Sequence, residues 1–337
     1  GPTAGAWNSN KFMNPESDGA VLPILLQNGF KISNPTIVHT MSEEEETSLF
    51  RGYGYEPRYV DDGPDLDPDM SAAMDWAHDE IARIQRLARG GSPETRPRWP
   101  MLIYRMPKGR GAPPELDGER IAGTFRAHQV PVKDPKHNPK HLEALERWLR
   151  SYRPHELFDA QGHPDPDLLR LTPHGSRRIA MNPASFGGDV RRPLALPPLE
   201  EFAVRVDRRG APMVSHMGPF GDYLAEILVR NESARNFRIV CPDELESNRL
   251  GAVLNVTDRQ YDWPIPDGSE HTARYGRVME VLSEHNCQGW LEGYLLTGRH
   301  GLFPCYEAFI PIVDGMMNQY AKFLKASLEV PWRKPVA

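Results

Sequence analysis

Carboxylates, hydroxyls and cations that follow short apolar runs are the places in this sequence where chemistry could gather. Glu284 follows the run Arg277 to Leu282 and so stands near a predicted strand end amid apolar residues. Desolvation there would push a carboxylic acid toward the range in which it can exchange a proton near neutrality; the alternative is a surface or ion-paired glutamate. Asn28-Gly29 follows the apolar run Ala20 to Leu26. A strand ending in such a turn offers both a side-chain oxygen and backbone carbonyls, the donors magnesium favours, while the alternative is an ordinary turn asparagine. Lys108, just past the run Trp99 to Arg105, could stabilise developing negative charge, and His128 beyond it could transfer protons. Taken alone, either could equally be a solvated loop charge. Ser247 and Arg249, at the start of a predicted helix, could present a hydroxyl, backbone N–H groups and a cation to a phosphate. Helix capping by Ser247 is the competing explanation. Tyr306 and Phe309 are aromatics three apart, a spacing that on a helix commonly belongs to the core.

The elements that must position these groups follow from periodicity. Ala20 to Leu26, bounded by Asp18-Gly19 and Asn28-Gly29, suits a buried strand. Ser42 with Glu45 forms a capping-box pattern, so a short acidic helix is predicted to about Arg51, before Gly52 and Gly54. Met70, Ala73, Met74, Ala77, Ile81, Ile84 and Ala88 recur at helical spacing until Gly90-Gly91. Trp99 to Arg105 reads as the next strand, and strand–helix–strand alternation argues for a parallel sheet whose ligands gather beyond the strand C-terminal ends. From about Gly109 to Pro198 the pattern weakens, although Asn138-Pro139 opens a helix through Leu149. Beyond it the alternation returns: a helix near Phe220 to Arg230, a strand Phe237 to Cys241, a helix around Ser247 to Leu254, a strand Arg277 to Leu282 and a helix from Gln288 to Thr297.

Composition narrows the function classes. With 337 residues the chain exceeds one ordinary core, which predicts two domains. Its longest apolar run is far shorter than the roughly 20 residues that cross a bilayer. A net charge of −6, spread along the chain, argues against nucleic-acid and membrane-surface partners. Cys241, Cys287 and Cys305 make neither a paired framework nor a metal spacing, and Gly1 to Gly5 lacks a basic-then-apolar leader. A cytoplasmic protein is the expectation.

One stretch is specific enough to resemble a known family. Gly276-Arg277-Val278-Met279-Glu280-Val281-Leu282-Ser283-Glu284-His285-Asn286-Cys287-Gln288-Gly289-Trp290-Leu291-Glu292-Gly293-Tyr294 resembles a phosphoketolase segment. So do, in the same order along the family, Ser9-Asn10-Lys11-Phe12, Asp18 to Ile24, Arg51 to Pro57, Gly123 to Arg126, His128-Gln129-Val130-Pro131, Trp148 to Pro154, Ser247-Asn248-Arg249-Leu250 and Thr297 to Leu302. The resemblance covers essentially the whole chain. It implies an α/β thiamine-diphosphate-binding fold made of parts of two consecutive parallel-sheet domains. Residues 1–190 would be the C-terminal part of the diphosphate-binding domain plus an interdomain connection, and residues 191–337 the N-terminal part of the pyrimidine-binding domain. The implied reaction is cleavage of xylulose 5-phosphate or fructose 6-phosphate with inorganic phosphate to acetyl phosphate, an aldose phosphate and water. A homodimer with shared active sites is implied as well. The family's Gly-Asp-Gly-Glu magnesium motif would stand upstream of Gly1, so an internal piece, inactive by itself, is expected.

Carried over position by position, the resemblance makes Glu284 the cofactor-activating glutamate and Asn28 the magnesium side-chain ligand, with Phe30 giving its backbone carbonyl. Lys108 and His128 match the family's active-site lysine and histidine. Expelling a hydroxyl as water before phosphate attacks would call on such general-acid help. Ser247 is implied to approach inorganic phosphate, Arg249 the sugar-phosphate entrance, and Tyr306 and Phe309 the cofactor pyrimidine. Departures are Phe30 for tyrosine, Ala127 for serine, Asn286 for glutamine, Arg110 after Lys108-Gly109, and Pro311 early in a predicted helix. A transketolase-type enzyme would share Glu284 but lack the Gly123 to Pro131 and Trp148 to Pro154 blocks; a catalytically silent scaffold descended from a thiamine enzyme is the third alternative.

Overall fold

Apolar strands alternating with amphipathic helices assemble here into two parallel sheets. In the computed structural model, residues 2–128, 130–181, 191–211, 213–331 and 333 are described. After a short helix α1 (Pro2–Ala6) come β1 (Ile24–Gln27), α2 (Glu43–Tyr53), β2 (Tyr55–Asp61), α3 (Leu66–Arg89) and β3 (Trp99–Arg105). β3 lies between β1 and β2, pairing parallel with both. Its Trp99, Met101, Leu102 and Ile103 are fully buried, as a central strand covered on both faces requires. β1 is shorter than its apolar run because Pro23, which has no N–H for a ladder, stands just before it, and it is not the buried strand expected, since at the edge of the sheet its Ile24 and Leu26 are exposed. β2 was not anticipated: Glu56, Pro57 and Arg58 break any apolar alternation, and the strand is tolerated at the edge of the sheet.

The helices follow their signals more closely. The Glu45 carboxylate accepts the Ser42 N–H at 2.8 Å while Ser42 Oγ accepts the Glu45 N–H at 3.2 Å, and Gly54 ends α2 at φ 94°. On α3 the small Ala73 and Ala77, fully buried, let the helix lie close on the sheet, with Ala73 packed among Val60 and Leu102. Past β3, Asp117 and Gly118 both take positive φ in a tight hairpin joining β4 (Glu115–Leu116) to β5 (Glu119–Arg120). Asn138 caps α4 (Pro139–Ser151), and α5 (Pro166–Leu171) follows. These elements from β1 to α5 lie in one compact unit, Pro15–Pro173.

The second unit combines Gly1–Asn14 with His174–Ala337. It holds α6 (Met217–Arg230), β6 (Phe237–Cys241), β7 (Arg259–Gln260), β8 (Thr272–Ala273), β9 (Val278–Glu280), α7 (Glu284–Leu296), β10 (His300–Leu302) and α8 (Ile310–Ser327). The strands form a parallel sheet in the order β10-β6-β9-β7-β8. Leu224, Ile227 and Leu228 of α6 pack on Phe237, Ile239, Val278 and Leu250. Burying side chains of this size contributes about 1.5–3 kcal/mol each before entropy is charged. N-terminal Ser9 to Phe12 belongs here too: the Phe12 ring centroid is 4.8 Å from that of Trp290, and Trp290 Nε1 donates to Ser9 Oγ at 3.0 Å.

Three further expectations need correction. The helix predicted around Ser247 to Leu254 is instead a run of turns followed by a 3-10 helix, Gly251–Asn255, because Arg249 adopts φ 60° and no helix passes through a left-handed residue. The helix expected from Gln288 starts earlier, at Glu284, where Ser283 Oγ accepts the Asn286 N–H at 3.3 Å and caps it. Tyr306 caps and Phe309 ends a 3-10 turn, Glu307–Phe309, rather than lying within the long helix, which starts only at Ile310 with Pro311 in its first turn, where its missing N–H has no intrahelical acceptor to lose. The junction expected near residue 190, and Gln129, lie outside the described residues. Among the described residues no helix is long and apolar enough to cross a membrane.

Candidate active-site residues

At the carboxyl ends of β1, β2 and β3 a cleft of about 460 Å³ is lined by Gln27, Asn28, Phe30, His39, Glu43, Glu46, Asp61, Asp62, Arg105 and Arg120 among others. This is where a parallel sheet collects a ligand. Asn28 folds its side chain back so that Oδ1 accepts the Phe30 N–H at 3.1 Å. Gly29 carries the reversal at φ 86°, and a Cβ there would sit 3.0 Å from the His39 ring, so only glycine fits without strain. Lys108, almost fully buried, reaches from beyond β3 to donate to the Phe30 carbonyl at 3.4 Å and to that of Lys31. Asn28, Phe30 and Lys108 are thus brought together.

His128 is linked to this group through backbone. The Gly123 N–H donates to the Lys108 carbonyl at 2.7 Å, and Gly109, at φ 72°, lies so close to Ala127 that an added Cβ would be 2.3 Å from the Ala127 methyl. The loop carrying Lys108 and the loop carrying half-buried His128 are therefore seated on each other. Arg110, a departure from the family pattern, pairs with Asp62 at 2.5 Å.

Charges in the cleft are mostly matched. Arg105 grips Asp61 with Nε at 2.6 Å and its second terminal nitrogen at 2.8 Å, holding that carboxyl below its ordinary range, and also pairs with Glu43 at 2.6 Å. Glu46 differs. It is buried, its Oε2 accepts from Gln27 Nε2 at 3.4 Å, and desolvation raises its pKa against the opposing pull of Gln27, Arg105 and Tyr59. Sequence reasoning weighs the four consecutive glutamates as a helix start against a metal site and favours the helix start; the missed signal is that Glu46 shares a helix face with buried Phe50, four residues on.

A second cluster lies beyond the adjacent parallel strands β6 and β9. Glu244, buried, accepts the Tyr306 backbone N–H on Oε2 at 2.6 Å, and its own carbonyl accepts from Ser247 Oγ at 3.2 Å. One residue thereby ties the Ser247 turn to the segment bearing Tyr306 and Phe309, whose ring centroids are 6.2 Å apart. Ser247 and Arg249 are exposed. Glu284, half-buried, opens α7, and burial, followed by the charges of Glu244 and Glu284, raises the Cys305 thiol pKa. Beneath them Arg259 Nε donates to Glu280 at 2.7 Å, and the neighbouring Cys241 thiol is pushed up to about 12, chiefly by burial. Glu244, Glu280 and Arg259 carried no signal in the sequence beyond their charge.

The donors at Asn28 and Phe30 fit a hard divalent cation: both are neutral oxygens lining the cleft, and each retains a lone pair beyond the hydrogen bond it accepts. Among the described residues no group of three or more His, Cys, Asp and Glu side chains could hold a metal, so soft or all-carboxylate coordination is not what this chain offers there.

Two parallel-sheet units with polar groups at their strand ends define an α/β architecture of the kind that collects ligands beyond the strand ends. Residues 1–190 match the family model described as XFP N-terminal domain, and residues 218–337 match D-xylulose 5-phosphate/D-fructose 6-phosphate phosphoketolase; the chain belongs to the phosphoketolase family. It is 51% identical over 339 residues to a protein named "Probable phosphoketolase" from Streptomyces avermitilis, covering 100% of this chain and 43% of that protein. It is 52% identical over 340 residues to one from Bradyrhizobium diazoefficiens, covering 100% and 42%. The chain therefore spans less than half the length of these curated relatives. Among solved structures it is similar to transketolase from Leishmania mexicana, with a TM-score of 0.46 and 14% identity over 94% of this chain and 42% of the other, and to that from Campylobacter jejuni, with a TM-score of 0.43 and 13% identity over the same shares.

Proposed function

We propose that the complete protein carrying these residues is a cytoplasmic phosphoketolase of pentose-phosphate metabolism, dependent on thiamine diphosphate and magnesium. It would cleave xylulose 5-phosphate, fructose 6-phosphate or both with inorganic phosphate to acetyl phosphate, an aldose phosphate and water. The observation that carries this reading is the match of both family models along the chain together with about half-identity to named relatives. The gathering of Asn28, Phe30 and Lys108 at one sheet end supports it.

Bound thiamine diphosphate would supply a carbon nucleophile that this chain's side chains lack. Asn28 and the Phe30 carbonyl would hold the magnesium of its diphosphate, Glu284 would protonate its pyrimidine, and Tyr306 and Phe309 would orient that ring. Lys108 would stabilise negative charge, and His128 would deliver a proton to the departing hydroxyl. Ser247 and Arg249, both exposed beyond β6, would receive inorganic and sugar phosphate. Because the diphosphate donors and Glu284 lie on different sheets, the reading includes a homodimer in which each site takes one sheet end from each subunit. Residues 1–337 alone would not turn over.

The test is acetyl phosphate formation by the complete protein supplied with either sugar phosphate, inorganic phosphate, thiamine diphosphate and magnesium. Glu284→Gln should lower it roughly a hundredfold or more and slow hydrogen–deuterium exchange at the thiazolium carbon. Unchanged exchange removes Glu284 from its role, and absence of acetyl phosphate from the wild type removes the function.

A further inference from the structure

Glu244, in the loop after β6, is only 6% exposed, yet it makes no ion pair among the described residues. A buried carboxylate is costly unless hydrogen bonds receive it. The bond that receives this one comes from distant backbone: the Tyr306 N–H donates to Oε2 at 2.6 Å, across 62 positions of sequence. No other hydrogen bond joins residues 303–309 to that loop among the described residues.

The two ends of this joint differ in firmness. At the loop end the Glu244 carbonyl accepts the Asn248 N–H at 3.1 Å, Asn248 Nδ2 at 2.7 Å and Ser247 Oγ at 3.2 Å. The Arg249 N–H reaches the Glu246 carbonyl at 2.8 Å and the Leu250 N–H that of Leu245 at 2.9 Å, while the Leu245 and Leu250 side chains lie in the core. From the other side α6 closes on the turn through Gly221, where a Cβ would stand 3.2 Å from both the Arg249 carbonyl oxygen and Leu250 Cα. None of these contacts uses the Glu244 carboxylate. At the far end residues 303–306 are neither helix nor strand, and the Tyr306 and Phe309 rings are 42% and 37% exposed, so core packing does not locate them.

We propose that Glu244 is a positioning residue: standing on the firm Ser247 turn, its carboxylate fixes the backbone that presents Tyr306 and Phe309 to the cofactor ring. The inference rests on the reading of these two aromatics as the ones that meet the pyrimidine. Because the turn keeps its own bonds, loss of the carboxylate should be felt in cofactor binding and not in the KM for inorganic phosphate.

The experiment is isothermal titration of thiamine diphosphate, with magnesium, into the complete protein freed of cofactor, together with amide hydrogen exchange at Tyr306. Glu244→Ala removes the acceptor; it should weaken cofactor binding about tenfold and speed the exchange by a similar factor, with the KM for phosphate unchanged. Glu244→Gln offers an oxygen at the same reach and should lose only about threefold, since the charge assistance alone is gone. A residue that merely stabilised the fold would lower the melting temperature without moving the cofactor Kd or separating Ala from Gln. Unaltered cofactor binding in Glu244→Ala overturns the inference, as does an equal loss in Glu244→Gln or a raised KM for phosphate. If Glu244→Ala does not fold, Glu244→Asp, with its carboxylate drawn back by one carbon–carbon bond, is judged by the same outcomes. Tyr306→Ala separates the two levels. Weakened cofactor binding there with an unaffected Glu244→Ala sinks only Glu244, whereas an unaffected Tyr306→Ala sinks the reading of the aromatics and the inference with it.

Discussion

Gly109→Ala should loosen the joint between the Lys108 and His128 loops, and the size of the effect follows from geometry. The added methyl would lie 2.3 Å from the Ala127 methyl. Carbon atoms settle at about 3.5–4.0 Å, so more than an ångström must be opened. Neither methyl has a rotamer by which to escape, and the backbone itself must move. Overpacking of this kind costs about 1–3 kcal/mol. The φ of 72° adds about 1–2 kcal/mol for any residue with a Cβ, which brings the total to about 2–5 kcal/mol.

Amide hydrogen exchange with mass-spectrometric detection reads this locally. The Gly123 and Ala112 N–H groups, bonded to Lys108 and Gly109 carbonyls at 2.7 and 2.8 Å, are the reporters. At about 1.4 kcal/mol per tenfold, their opening should accelerate roughly thirtyfold to several-thousandfold. Ala127→Gly in the same chain removes the opposing methyl while Ala127 Cα stays at an ordinary 3.7 Å. The double variant should therefore recover the packing part, about 1–3 kcal/mol, and retain only the left-handed penalty. If Ala127→Gly restores no protection, the contact is not what requires glycine, and the coupling of the two loops through it is refuted.

Two further outcomes are expected. Both nitrogens of the nearly buried His141 ring face acceptors, the Lys133 carbonyl at 2.5 Å and Asp117 Oδ2 at 2.7 Å, so its folded pKa is raised, first by the carbonyl and then by Asp117. Its stabilisation is therefore full below the unfolded pKa of about 6.5 and lost as pH rises through the folded value. The difference in melting temperature between wild type and His141→Gln should shrink as pH is raised from about 6 to 9, and a constant difference would argue against a charged ring. In the complete protein, subunits carrying Asn28→Ala mixed with subunits carrying Glu284→Gln should regain up to about a quarter of wild-type activity, since half the dimers would hold one intact site of two. No recovery from heterodimers verified by mass spectrometry means that one subunit supplies both residues.

What the residues announced in advance, and what they concealed, divides along the range of the interactions. β3, β6, α3 and α4 were legible because the information is local: an apolar run, a helical repeat, a cap and a stop within a few residues. The Ser247 segment misled because its helical spacing is real while the φ of 60° at Arg249 is not encoded in residue type; the close pack of Gly221 on the Arg249 carbonyl, at 3.2 Å from a would-be Cβ, ties the turn to α6 instead. Ser9 to Phe12 concealed its destination altogether, since Gln260 Nε2 reaches the Phe12 carbonyl at 2.7 Å across nearly the whole chain, and no spacing rule spans such a distance. At the candidate site the same division holds. Asn28-Gly29 and the Lys108-Gly109 pair stand at strand ends that periodicity locates, whereas Glu46 became visible only when the fold buried its carboxylate and left Oε1 without a hydrogen bond. A buried charge is informative through what fails to surround it, and that is a property of the folded chain rather than of any stretch of sequence.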